Sequence, residues 1–317
     1  MNAVTTALIT LSKEGAKLLA PLACALPAAR LYIHESVRDE ALPGLSGGNG
    51  AGGSGRNRRK PVRGDADRTG PEGCGSVRAA SSGEAPGPWE AVHFTRIADL
   101  TASLFPACRG LVYAAPCGVV VRAIAPLLGN KQVDPAVVVL DTGGRWAVSL
   151  LSGHEGGANR LALRIANILG AEPVITTTTE AIRSVIVGIG CRRGTPAERI
   201  VAAVQTALAE AGITLDEVRL LASADVKADE RGLLTAAEAL GVPIRFIAAA
   251  EIRGCLRDFS HSDFVKGKVN LPAVAEPAAL LAGRRTRFIC RKKRIDGITI
   301  ALAREGFSWS ESAPADR

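Results

Sequence analysis

The chain has 317 residues with 47% apolar side chains, enough for two domains with substantial cores and too long for one of ordinary size. Its 39 Lys and Arg against 31 Asp and Glu give a net charge of +8 and favour an acidic partner. Nucleic acid is the generic candidate, but only 4% of residues are aromatic and no basic cluster is interleaved with them; a polycarboxylate small molecule fits equally well, and no nucleic-acid partner is expected.

Val4–Leu11 reads as a strand rather than a signal peptide, since no basic stretch precedes it. Lys13–Leu26 reads as a helix and Arg30–His34 as a second strand. Pro43–Pro88 then holds thirteen of the 34 glycines, with Ser, Pro and Arg and almost no large apolar residue. It cannot bury enough surface to offset its ordering entropy, so it is expected to be a disordered insertion. Ile97–Phe105 is helical in pattern, Gly110–Ala115 a strand and Val119–Leu128 a helix ending at Gly129. The apolar run Leu111–Leu128 is broken by Pro116, Arg122 and Pro126, so neither a membrane span nor a membrane partner is expected. Pro135–Leu140 reads as a buried strand, and Trp146–Leu151 as another.

The stretch Ala147–Glu180 organises the rest. A strand feeds the turn Ser152-Gly153-His154-Glu155-Gly156-Gly157. A helix follows with Leu161, Ile165, Ile168 and Leu169 on one stripe and Gly170 as its C-terminal cap, and Val174–Thr178 reads as the next strand. Such a glycine-rich turn presents backbone N–H groups at a helix start, a ready seat for negative charge. It is neither G-x-G-x-x-G nor a P-loop, which argues against a nucleotide-dependent enzyme.

A second unit begins with the strand Ser184–Gly190. Thr195-Pro196-Ala197-Glu198 has the spacing of a capping box opening the helix Ala197–Ala211. Asp216–Ala222 is another element, Gly232–Leu240 a helix and Pro243–Ile247 a strand. Arg287–Cys290 and Gly297–Ala303 read as a final hairpin, with a frayed tail from Phe307. Alternating strands and helices predict an α/β fold of two Rossmann-like three-layer domains, residues 1–183 and 184–317, with substrate between them. Seven cysteines (24, 74, 108, 117, 191, 255 and 290) without a C-x-x-C pair predict free thiols in a reducing, cytoplasmic compartment. Cys117 and Cys191 sit in tight loops, as reactive or as structural thiols.

Three stretches carry a resemblance. They are Gly118–Leu128 with Asp134–Val139; Leu151–Asn159 with Val174–Thr177; and Gly188–Thr195 with Leu221–Asp225, Lys227, Glu230, Gly232-Leu233 and Glu276–Ala279. The chain resembles the CbiG family of cobalamin biosynthesis, the cobalt-precorrin-5A hydrolases. The resemblance implies opening of a ring-A δ-lactone on a cobalt-bound, partly methylated tetrapyrrole polycarboxylate. Release of the methylated bridging carbon as acetaldehyde follows. It also implies that cobalt belongs to the substrate, that no cofactor or metal is held by the protein, and that other corrin-pathway enzymes are candidate partners. Only Ala181-Ile182-Arg183 joins Glu180 to Ser184, where family members commonly carry a middle segment. A protein that binds a corrinoid intermediate without turning it over is therefore the alternative.

Under this resemblance His154 is the candidate base for water activation, because imidazole titrates near neutral pH. Its other reading is a turn histidine bonded to backbone. Glu155 would orient His154, act as base, or simply suit the helix dipole. Gly156 and Gly157 would bring backbone donors to the lactone oxyanion or serve close packing. Asn159 would bind a substrate carboxylate or cap the helix. Thr176 and Thr177 lie where open α/β sheets place ligands, or are strand filler. Arg192 and Arg193 would clamp carboxylates or stand solvated, and Arg122 would bind substrate or pair with Asp134.

Overall fold

The computed structural model describes residues 5–37, 91–261, 267 and 269–306. The insertion expected at Pro43–Pro88 and the tail from Phe307 lie outside them. The first unit runs β1 (Thr6–Thr10), α1 (Lys13–Ala25), β2 (Ala29–His34), β3 (Val92–Phe94), α2 (Ile97–Leu104), β4 (Gly110–Ala114) and α3 (Cys117–Ile124). It continues through β5 (Ala136–Leu140), β6 (Trp146–Leu151), α4 (Ala158–Leu169), β7 (Glu172–Val174) and the one-turn α5 (Thr178–Ala181). Its seven strands lie in the order β3-β2-β1-β4-β5-β6-β7. The first five are parallel, β6 is antiparallel to β5, and β7 follows the direction of β6.

The strands are buried on both faces, and this produces the unbroken apolar runs of β4 and β5. On one face Leu8, Leu31, Val112, Val138 and Leu140 pack under α1 and α4. On the other, Ile9, Leu111, Tyr113, Val137 and Val139 meet Leu104 of α2 and Val120 and Ile124 of α3. The Tyr113 hydroxyl, 3.0 Å from Thr101 Oγ1, keeps a polar partner inside the core, and burial pushes its pKa up to about 12.

The second unit runs β8 (Val185–Gly190), α6 (Ala197–Glu210), β9 (Val218–Ala224), α7 (Arg231–Leu240), β10 (Ile244–Ile247), α8 (Ala249–Arg253), α9 (Ala275–Leu281), β11 (Arg287–Ile295) and β12 (Ile298–Arg304). Its sheet order is β10-β9-β8-β12-β11, parallel from β8 to β10 and antiparallel through β12 and β11. Val185, Val187 and Ile189 face α6 and α7, while Ile186 and Ala222 face α8 and α9. Both units are thus three-layer α/β structures, the fold class read from the sequence.

The two sheets meet through α4, β7 and β10. Asn167 of α4 donates from Nδ2 to the Ile244 carbonyl (2.8 Å) and accepts from the Phe246 N–H (2.9 Å). Its amide imitates a neighbouring strand and closes the edge of the second sheet. Beside it the Arg245 guanidinium, 8% exposed, grips both carboxylate oxygens of Glu172.

Local expectations fail in four places. β3 was not anticipated from the sequence; three residues are too few for a pattern. The strand expected over Val174–Thr178 ends at Val174, and Thr178 opens α5. The capping box at Thr195 is not formed: the Thr195 hydroxyl donates to the Arg192 carbonyl (2.7 Å), and Pro196 is the N-cap of α6, not its first helical residue. A capping box forms instead at Thr214 with Glu217, opening a 3-10 turn (Leu215–Glu217), and the strand that follows runs from Val218 to Ala224 rather than from Asp216 to Ala222.

Candidate active site

The turn between β6 and α4 is shaped by backbone requirements. Gly157, the N-cap of α4, sits at φ +83°, where a side chain would be strained. A Cβ on Gly156 would come within 2.4 Å of the Ser152 Cβ, so only glycine lets the turn fold over that residue. Ser152 itself holds φ +56°, and its buried hydroxyl has no partner among the described residues. The carbonyls of Ser152 and Gly153 accept from the N–H groups of Ala158 and Asn159 (3.1 and 3.0 Å). Among the described residues none accepts from Gly156 or Gly157, so these two N–H groups are among the donors left in the turn.

A continuous polar chain runs from the core to this turn. Ser149 Oγ on β6 donates to Asn159 Oδ1 (2.8 Å), and Asn159 Nδ2 donates to Thr177 Oγ1 (2.8 Å). Thr177 in turn donates to Glu180 Oε2 (2.6 Å), which also accepts from Thr179 Oγ1 (2.8 Å). The other carboxylate oxygen, Oε1, lies 3.4 Å from His154 Nδ1. Every donor points toward Glu180, so its carboxylate is the sink of the chain. Burial alone would raise the Glu180 pKa. The Thr177 and Thr179 hydroxyls and the His154 ring outweigh it and hold the carboxyl below its ordinary value. An ionised Glu180 makes His154 Nδ1 the donor, and in the neutral tautomer this selects, the Nε2 lone pair is directed away from the carboxylate. The His154 side chain is 63% exposed and meets solvent beyond that pair.

The structure therefore brings His154, Asn159 and Thr177 together and adds Glu180, to which the sequence analysis gave no role. Its signal was present: Thr177-Thr178-Thr179-Glu180 has the spacing of a helix start with a carboxylate at the third position. Thr177 is indeed the N-cap of α5. Asn159 is buried at 7% exposure with both amide atoms engaged, so it orients Thr177; it does not cap α4, whose N-cap is Gly157. Glu155 does not orient His154. It pairs with Lys131 at 2.9 Å, and that ammonium lowers its carboxyl pKa. Thr176 is exposed beside the chain. β6 and β7 run against the first five strands, and Leu151 pairs with Val137 near the start of β5. The turn and Thr176–Thr179 accordingly lie at the edge opposite the carboxyl ends of β1, β2, β4 and β5.

The arginines lie elsewhere. Arg192 and Arg193 follow the carboxyl end of β8, whereas Glu180 lies just before its amino end, about 20 Å away at ~3.3 Å per residue. Arg193 binds Asp229 (2.9 Å) and the Val226 carbonyl (3.3 Å). Arg122 donates to the Gly118 carbonyl (3.1 Å) rather than pairing with Asp134, whose carboxylate accepts from the Gly129 and Asn130 N–H groups. Cys117 is the exposed first residue of α3, and burial raises the Cys191 thiol pKa, which keeps it protonated. Beside Cys191 the buried Lys227 and Glu230 stand 3.8 Å apart, and Glu230 accepts from the Gly194 N–H (3.0 Å). A cleft of about 390 Å³ opens next to Glu180, lined by Thr179, Ile182, Arg183, Ser184, Asp216, Glu217 and Arg304.

The family profile "Cobalamin synthesis G N-terminal" matches residues 99–180, and "Cobalamin synthesis G C-terminus" matches residues 185–303. A cobalt-precorrin-5A hydrolase of Priestia megaterium is 46% identical over 94 residues, 30% of this chain and 25% of that protein. One of Salmonella typhimurium is 47% identical over 83 residues, 26% of this chain and 24% of that protein. Protein CobE of Sinorhizobium is 39% identical over 128 residues, 40% of this chain and 83% of that protein. The matches thus span about a quarter of the length of the two hydrolases.

Proposed function

This chain belongs to the CbiG family, and on that premise we propose that it is a cobalt-precorrin-5A hydrolase with His154 as its base. The observation that carries the reading is the Glu180-oriented imidazole at the mouth of a glycine-rich strand-to-helix turn. Water beside His154 Nε2 loses its proton as it attacks the lactone carbonyl. The negative charge that develops on the carbonyl oxygen meets the unbonded N–H groups of Gly156 and Gly157. Collapse of the tetrahedral intermediate breaks the bond to the ring oxygen, which takes the proton back from the imidazolium. The products of this step are a carboxylic acid, which ionises by releasing its proton to solvent, and a hydroxyl on the methylated bridging carbon. Loss of that hydroxyl's proton then lets the carbon leave as acetaldehyde, with the bonding electrons returned to the macrocycle. Cobalt arrives with the substrate in this reading. Six cysteines among the described residues are free, in keeping with a cytoplasmic enzyme, and no helix of the described residues is long and apolar enough to cross a membrane.

The test is single-turnover incubation with the cobalt-bound lactone and trapping of the aldehyde. About one equivalent of acetaldehyde per substrate bound is expected, at a rate that exceeds the protein-free control. A second reading rests on the direct joining of Glu180 to Ser184 by three residues: a protein that holds the intermediate without converting it. Tight binding with no acetaldehyde above the control would establish that reading and reject hydrolysis.

A further inference from the structure

Two features next to the Glu180–His154 pair are not used by the chemistry above. Ile182, two residues beyond Glu180, is a large apolar side chain left 68% exposed, and on the other flank Val133 is 78% exposed. Val133 belongs to the segment that abuts the catalytic turn: Lys131 pairs with Glu155, and the Asp134 carbonyl lies 3.2 Å from where a Gly156 Cβ would stand. Apolar surface bracketing a polar centre is the usual composition of a small-molecule site. Ile182 also lines the cleft beside Glu180 together with Arg183. There Arg304 is occupied by Glu217 (3.4 Å) and by the Ser184 hydroxyl (3.3 Å). Arg183 has no hydrogen-bond or ion-pair partner among the described residues, and Asp216 is the exposed acid of the same cleft.

We infer that the substrate macrocycle seats its apolar face on Ile182 and Val133, with one carboxylate arm held in the cleft by Arg183. This deepens the hydrolase reading and rests on it for the identity of the substrate. The cleft, of about 390 Å³, admits an acetate or propionate arm with room to spare and is too small for the macrocycle, which stays outside, over the His154 turn. Arg183 supplies the planar fork that a carboxylate matches, while Asp216 opposes the same charge. The seat therefore predicts opposite signs for two neighbouring substitutions, which a merely structural role would not produce.

The experiment is equilibrium titration, followed by protein fluorescence, with two probes: a cobalt corrinoid heptacarboxylic acid and its fully methylated ester. Arg183→Gln should weaken binding of the acid roughly 10- to 100-fold and leave the ester unchanged. Asp216→Asn should tighten the acid alone, and Ile182→Ser should weaken both probes. Arg96→Gln on the far helix is the control and should change neither. Failure of the wild type to bind the acid overturns the seat. So does acid binding that is indifferent to Arg183 and Asp216. The hydrolase reading fails separately: if the wild type binds the acid through Arg183 but releases no acetaldehyde from the lactone, the seat stands and hydrolysis does not. If acetaldehyde is released while Arg183→Gln binds as the wild type does, hydrolysis stands and the seat falls.

Discussion

The chain contains two strand–turn–helix crossings that look alike in sequence and end differently in space. One joins β6 to α4 through Ser152–Gly157, the other β8 to α6 through Cys191–Thr195. Both are glycine-bearing and both carry titratable side chains. In the second, the charges are consumed internally: Arg193 by Asp229, and Glu230 by the Gly194 N–H and Lys227. In the first, the hydrogen bonds converge on Glu180 and leave an imidazole at the solvent end. The first is organised to present a group, the second to hold a loop. Residue type and spacing do not separate the two; the partners that the fold brings from elsewhere in the chain do.

The comparison can be broken most forcefully at Glu230. Lys227 and Glu230 are 7% and 6% exposed, and removing the acid leaves a buried ammonium without its counter-ion. Glu230→Ala is expected to lower stability by about 3–5 kcal/mol. Denaturant unfolding checks it, and a change below about 1 kcal/mol would mean that Lys227 relaxes into water. In the turn between β6 and α4 the largest structural cost falls on Asn159. Asn159→Ala leaves the buried Ser149 hydroxyl without its acceptor and frees Thr177 on one side, and should cost about 1–3 kcal/mol. Turnover should fall with it, because the amide that holds Thr177 against Glu180 is gone.

Acid titration sharpens the same contrast. The folded-state pKa of Glu180 is depressed, so the stability it contributes is present above the ordinary glutamate value of 4.5 and is lost as pH falls below it. The thermal midpoints of wild type and Glu180→Gln should differ at neutral pH and converge on acidification below that value. A gap that stays constant through this range would contradict the chain's termination on an ionised Glu180. The smallest effect is expected at Arg193. Its pair with Asp229 is solvent-exposed and lies across the second sheet from His154, so Arg193→Gln should leave both stability and corrinoid affinity unchanged.

Much of this arrangement was legible in the sequence, for reasons that also mark where legibility ends. The unbroken runs Gly110–Ala114 and Ala136–Leu140 declare strands buried on both faces, and Gly170 marks the end of α4. The stretch from Ala147 to Glu180 already contained every member of the polar chain. Its connectivity was not readable, because Ser149, Asn159, Thr177 and Glu180 meet only once α4 has folded back along β6 and β7. The direction of β6 was legible and missed: residues 141–145 are too few for the crossover that parallel neighbours need, so β5 and β6 pair antiparallel, which puts the site on the opposite edge from that expected of a parallel sheet. The arginines misled for a related reason: fork chemistry is visible in the sequence, while the Asp229 that occupies Arg193 lies 36 residues away.

The central claim is that Glu180 and His154 act as one unit in turnover, and a double-mutant cycle in single-turnover acetaldehyde release tests it most directly. His154→Gln should slow release by ~10²–10⁴-fold with binding largely retained. Glu180→Gln should slow it less, because the imidazole remains but is no longer oriented. If the two form one device, the double variant should be no slower than His154→Gln alone. Fully multiplicative losses would show that the carboxylate and the imidazole serve separate purposes, and equal rates for wild type and His154→Gln would remove His154 from the chemistry.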